Sequence, residues 1–138
     1  MTHIIHPTAD GVAITTPTGE VPIEQVAQQV APDGIYAIVT ADQIPSDTTF
    51  RGAWVYADGS IEIDLDRAKA IGHDLRRKQR NAAFAPLDDL IAKQIPGVDF
   101  AEVEAKRQAI RDQYADVQVA INAAESPDEI KTALQEVI

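Results

Sequence analysis

The chain reads as an α+β protein, with a small β-rich head over residues 1–64 and a helical domain over residues 65–138 that ends in a short final helix. Three observations predict this division. Phe100, Val103, Arg107, Ile110, Tyr114, Val117, Ile121 and Ala124 recur at alternating steps of three and four, the spacing that places residues on one narrow stripe of a helix, close to a coiled-coil a/d seam. The first 64 residues instead carry short β-branched runs separated by turn dipeptides, the signature of strands and hairpins. Between two helical stretches stands Pro96-Gly97, a tight break that predicts an antiparallel helical hairpin, in which the seam is covered within one chain. A parallel coiled coil between copies is the competing arrangement.

In the head, Ile4-Ile5 and the stretch Val12-Ala13-Ile14-Thr15 flank Ala9-Asp10-Gly11, which predicts a first hairpin. Pro22 stands near a first helical position, and Val21, Ile23, Val26, Ala27 and Val30 supply an apolar face. That short helix stops before Pro32-Asp33-Gly34, a turn. Ile35-Tyr36-Ala37-Ile38-Val39 is the clearest strand, β-branched or aromatic nearly throughout. Ile44-Pro45-Ser46-Asp47 is a loop. Ala53-Trp54-Val55-Tyr56 and Ser60-Ile61-Glu62-Ile63-Asp64 then bracket Asp58-Gly59, a two-residue turn that favours type I′.

From Leu65 the period changes. Asp64 or Asp66 can cap a helix that runs to about Phe84 or, kinked at Pro86, to Lys93. Leu75, Ala82, Leu87 and Leu90 are its candidates for covering the seam. Asp99 caps the seam helix, which extends to about Ala124. Ser126-Pro127-Asp128-Glu129 combines an N-cap serine, an N1 proline and an N3 glutamate, a capping box. The final helix collects Ile130, Ala133, Leu134, Val137 and Ile138 on one side.

Composition narrows the function classes. With 45% hydrophobic residues the chain can bury a core, and with only 5% aromatic ones that core is mainly aliphatic. No cysteine is present, which excludes disulfides, thiolate metal sites and a thiol nucleophile. The first residues lack the basic and apolar runs of a signal peptide, and no window approaches the ~18 apolar residues needed to span a bilayer. A soluble protein without membrane partners is expected. The net charge of −10 argues against nucleic acid as a partner. Against that background Arg67, Lys69, Arg76, Arg77, Lys78 and Arg80 crowd one stretch that holds only Asp66 and Asp74. A basic helix of this kind is either a solvated face with intrachain ion pairs or a contact for an acidic or phosphate ligand, with Arg76, Arg77 and Arg80 carrying the contact.

Candidate chemistry is sparse. His3 and His6 stand three apart in a strand, so they face opposite sides, and only Asp10 is near; no metal is expected. His73 reads as a surface residue. Glu62, Asp64 and Asp66 alternate but lack the glycine-broken loop and terminal glutamate of a calcium site; they read as the acidic approach to a helix N-terminus. In Ser46-Asp47-Thr48-Thr49-Phe50-Arg51-Gly52-Ala53-Trp54, Asp47 can pair with Arg51 four residues on. Phe50, Arg51 and Trp54 are then either a structural plug in the head or an aromatic contact with a partner. Arg107 interrupts the apolar seam; it can snorkel, or pair across helices with Asp74, Asp88 or Asp89 and so fix register. No phosphate loop, nucleophile elbow or buried acid pair occurs, so neither catalysis nor a cofactor is expected.

The run from Ile44 to Trp54 resembles an "LPSDRTFRNAW"-like segment of small tailed-bacteriophage proteins, with Thr48 and Gly52 standing where that pattern has arginine and asparagine. In those proteins a strand and an "(I/V)D(L/M)xKA" helix start follow, similar to Ile61-Glu62-Ile63-Asp64-Leu65-Asp66-Arg67-Ala68-Lys69-Ala70-Ile71 here, and an Arg-rich turn is matched by Asp74-Leu75-Arg76-Arg77. Arg107-Gln108-Ala109-Ile110-Arg111-Asp112 is similar to a "RQAIRD"-like stretch of small tail-region and tail-assembly chaperone proteins. The resemblance covers about residues 35–138. It implies a non-enzymatic protein of the virion tail or adhesin apparatus, or a chaperone for its assembly. Its partners would be other virion or tail proteins or copies of itself, and its location the virion, or the host cytoplasm during assembly. It transfers no catalytic residue.

Overall fold

A computed structural model describes residues 2–94 and 96–135 of the chain. Ile95, Val137 and Ile138, which the sequence assigns to a break and to the last helix, lie outside the described residues. The α+β class is as expected, with small sheets first and helices after. The chain divides into two compact units between Ala68 and Lys69, inside the first turn of a helix.

The first unit opens with strands β1 (Thr2–Thr8) and β2 (Gly11–Thr15), paired antiparallel with Thr8 opposite Gly11, so that Ala9-Asp10 is the connecting turn. Helix α1 (Ile23–Val30) follows, with Pro22 at its N-cap and Ala27 fully buried. Strand β3 (Ala37–Thr40) pairs antiparallel with the other edge of β1, giving the sheet order β2-β1-β3. Consecutive residues of a strand point to opposite faces. Ile4 and Ile5, both at 0% exposure, therefore show that the central strand is covered on both sides.

β3 is shorter than its apolar run predicts. The Asp33 side chain accepts from the Ile35 amide (3.1 Å), and Gly34 has φ +80°, so the turn continues through Ile35 and pairing begins only at Ala37. Ile35 and Ile38 are left exposed, while Val39 is buried. Thr40 then opens a 3₁₀ turn (Ala41–Gln43) in which Gln43 accepts from the Thr40 amide. A second 3₁₀ turn (Arg51–Ala53) leads into β4 (Trp54–Ala57), paired with β5 (Ser60–Ile63). At Asp58-Gly59 both residues have positive φ, +50° and +88°, as a type I′ turn demands.

The second unit holds most of α2 (Leu65–Lys93), together with α3 (Phe100–Ala123) and α4 (Pro127–Gln135). Asp64, not Asp66, caps α2: its carboxylate accepts from the Asp66 amide. The helix continues through Pro86 to Lys93, although proline there removes one intrahelical hydrogen bond. Asp99 caps α3 by accepting from the amides of Ala101 and Glu102. Ser126 accepts from the Glu129 amide, and the Glu129 carboxylate reaches back to the Glu125 amide, one residue earlier than the N-cap amide of the usual box.

α2 and α3 run antiparallel. Lys69 donates to the Asn122 carbonyl (3.0 Å), and His73 bonds the Asn122 side chain (2.8 Å). Near the other end, Arg107 lies 3.3 Å from Asp88. Of the seam, Val103, Tyr114, Val117, Ile121 and Ala124 are buried, whereas Arg107 and Ile110 are half-buried. Phe100 is a correction: it is 46% exposed, because it is the first residue of α3 at the end of the hairpin. Ala82 is another. It is exposed, because the α2 stripe toward α3 passes through Lys69, His73, Arg76, Arg80 and Phe84 and leaves it off that face. Leu75, Leu87 and Leu90 are half-buried.

At Gly72 the helices approach one another closely. A β-carbon built there would lie 2.6 Å from Ile130 Cγ2 and 3.6 Å from Ile121 Cγ2. Ile130 and Ile121 are both fully buried, so neither side chain can swing into solvent. Gly72→Ala gains helix propensity of about 1 kcal/mol but overpacks this junction. We expect a net loss of about 1–2 kcal/mol and a lower Tm by circular dichroism. An unchanged or raised Tm would show that α4 can shift outward freely.

Candidate functional site

The sequence offered two groups of contact residues, and the structure separates them by burial. Phe50 is 3% exposed and Trp54 1%. Of the two readings of this segment, the partner contact is corrected for the aromatics: they fill the interior of the first unit, where burial of so much apolar area is worth most. Asp47 accepts from the Thr49 amide (2.9 Å) and hydroxyl (2.6 Å), which tightens the turn before them. Arg51 stays on the surface with its guanidinium 5.0 Å from the Trp54 ring centroid, a cation–π arrangement.

The basic residues of α2 also divide. Arg77 is exposed and paired with Asp74 at 2.7 Å. Arg76 is a correction as an open surface contact: it is only 8% exposed. Its Nε donates to His73 Nδ1 (3.3 Å), and His73 Nε2 in turn donates to Asn122 Oδ1. With Nδ1 accepting from Arg76, Nε2 is the ring nitrogen that donates; His73 is thus a link between helices where a surface residue was expected. Burial, then the neighbouring Arg77 and Arg80 charges, push the Arg76 guanidinium below its ordinary pKa.

Farther along the stripe, three guanidiniums gather around one ring. Arg80, Arg107 and Arg111 lie 4.8, 5.7 and 5.9 Å from the Phe84 centroid. Glu104 accepts from Arg107 (3.2 Å) and Arg111 (3.0 Å), and Gln108 accepts from Arg111 (2.9 Å). Of the carboxylates proposed for Arg107, Asp88 takes the role. Its oxygen is 3.3 Å from Nε but poorly aligned, so that buried N–H has no acceptor. Phe84, Glu104, Arg111 and Asn122 were not singled out by the sequence reading. Arg80 and Phe84 at i, i+4, and Glu104 and Arg107 at i, i+3, were signals that could have found part of the cluster.

Among the described residues no group of three or more His, Asp or Glu is placed to hold a metal ion. His3 Nδ1 bonds the Thr16 hydroxyl (2.8 Å), whereas His6 Nδ1 is buried with no partner. Grooves among the described residues include one of about 320 Å³ beside Thr2, Pro17 and Val21, and a second of about 250 Å³ between α3 and α4 beside Ala120, Ala124 and Ala133. The one carboxylate lining the second, Glu129, is engaged in the α4 cap. Among the described residues no helix is long and apolar enough to cross a membrane. Comparison with protein-family models, with curated proteins and with solved structures returned no match.

The Glu104 bonds give a pH signature. The hydrogen bond from Arg111, more than the surrounding charges, holds this carboxyl below its ordinary value of 4.5. A depressed folded-state pKa contributes stability that is complete above the unfolded value and is lost as pH falls through the folded one. The Tm difference between wild type and Arg111→Ala should therefore be constant above that range and shrink as the solution is acidified below it. A difference that persists undiminished in acid would mean that Arg111 acts through packing.

Proposed function

We propose that the protein is a non-enzymatic accessory or structural protein of a tailed bacteriophage, acting by protein–protein contact in the tail or adhesin apparatus. The observation that carries the contact reading is the exposed apolar pair at the end of the helical hairpin. Ile91, in the last turn of α2, is 36% exposed, and Phe100, at the start of α3, is 46% exposed. Leaving a phenylalanine and an isoleucine in water at a chain reversal gains nothing for folding and supplies an apolar contact for another protein surface. Ile35 and Ile38 beside the unpaired edge of β3 add a second such position in the first unit. The phage assignment rests on the resemblance of residues 44–71 and 107–112 to small tail-region proteins.

Mass spectrometry of purified virions tests the role. A structural component is present at a fixed ratio to the tail proteins. A tail or tail-fibre assembly chaperone, the alternative, is found with tail precursors and is missing from finished particles. Because Ile91 and Phe100 are exposed, the double variant Ile91→Ser, Phe100→Ser should keep the wild-type Tm while losing association with virions or tail precursors. Undiminished association would remove the hairpin end from the contact.

A further inference from the structure

The stripe of α2 toward α3 has more cations than the protein answers. Arg77 is neutralised by Asp74, Arg107 lies against Asp88 and Glu104, and Arg111 against Glu104. Arg76 and Arg80, one turn apart on that stripe, have no carboxylate within ion-pair distance among the described residues. A guanidinium carries five donors, yet Arg76 uses only Nε, toward His73. Its terminal nitrogens make no hydrogen bond to the described residues, although the residue is only 8% exposed. Arg80 is held over Phe84 at 4.8 Å, a cation–π contact that orients its fork and leaves its positive charge unneutralised.

We propose that Arg76 and Arg80 form a binding site for a phosphate-type oxyanion, free or as a small monoester, on the helical unit. Two forks on successive turns suit the tetrahedral oxygens of phosphate, and paired charge-assisted bonds to them are strong. Preorganisation favours the site, since burial fixes Arg76 and the ring fixes Arg80, so little side-chain entropy remains to be lost on binding. Burial first, and then the neighbouring Arg77 and Arg80 charges, hold the Arg76 guanidinium below its ordinary pKa, and the charge contribution reflects the same excess of positive potential. That excess sits within a chain of net charge −10, so a long polyanion meets repulsion beyond the site while a single phosphate group does not.

The test is a titration of the full-length protein with inorganic phosphate at constant ionic strength, followed by the arginine Nε–H resonances. Arg76 and Arg80 should shift along one saturable curve while Arg77 stays in place. Arg80→Ala should weaken binding by roughly tenfold or more, the loss of a charge-assisted pair. Arg80→Lys, which keeps the charge and loses the fork, should fall between. Arg77→Ala should bind as wild type. Arg76→Ala is uninformative because it also removes a buried side chain and its bond to His73. A parallel titration with methyl phosphate identifies the source: equal binding indicates the phosphate group itself, and tighter monoester binding indicates an esterified ligand. Shifts that sodium chloride alone reproduces, that never saturate, or that survive Arg80→Ala unchanged would overturn the proposal.

Discussion

Three helices converge where α2 has no side chain, and the second unit is organised around that absence. Gly72 lets Ile130 of α4 and Ile121 of α3 meet against bare helix backbone. Glycine inside a helix costs about 1 kcal/mol against alanine, so its presence there needs a packing return. The return is the full burial of two isoleucines, each worth about 1.5–3 kcal/mol when removed from water. The caps follow from the same requirement. Ser126 and Glu129 fix where α4 starts, and only a helix started at that point carries Ile130 onto Gly72.

The remainder of the α2–α3 contact is built differently. Beyond the glycine, the stripe of α2 turns polar through His73, Arg76 and Arg80, then ends in Phe84. An apolar seam on α3 thus faces a helix that offers donors, and the mismatch is resolved by stacking. Guanidiniums are weakly hydrated planar cations that lie readily on an aromatic face, and Phe84 receives three of them. Mutual repulsion among these cations is offset by Glu104 and Asp88, both largely exposed, so this half of the hairpin is held by screened charge and the other half by dry packing. Added salt weakens the first and leaves the second almost untouched.

Features set by adjacent residues were legible in the sequence. The turns at Ala9-Asp10 and Asp58-Gly59, the caps at Asp64, Asp99 and Ser126, and the antiparallel hairpin all depend on local chemistry, and all are found where the chain places them. Features set by what packs opposite were not. The run Ile35–Val39 looks like five strand residues, yet only Ala37 onward finds a partner strand. The seam from Phe100 to Ala124 is spaced correctly, but periodicity cannot tell that the first position overhangs the end of the hairpin. Arg76, Arg77 and Arg80 read as one basic group because sequence gives their charge and not their burial. Phe84 stands in α2 as a single aromatic residue, and its ring gains its role from Arg80 one turn before it and from Arg107 and Arg111 on α3.

The double burial at Ile4 and Ile5 carries a consequence for how the first unit opens. β1 is bonded along both edges, to β2 and to β3, and it is covered on both faces. Fraying of either neighbour exposes that neighbour's amides and leaves those that β1 shares with the other in place. Water reaches the whole of β1 only when the sheet comes apart as a unit, so its slowest amides exchange at the rate of cooperative unfolding while the outer edge of β3 exchanges by local opening. The strand made of Thr2–Thr8 is thereby the kinetic lock of the first unit.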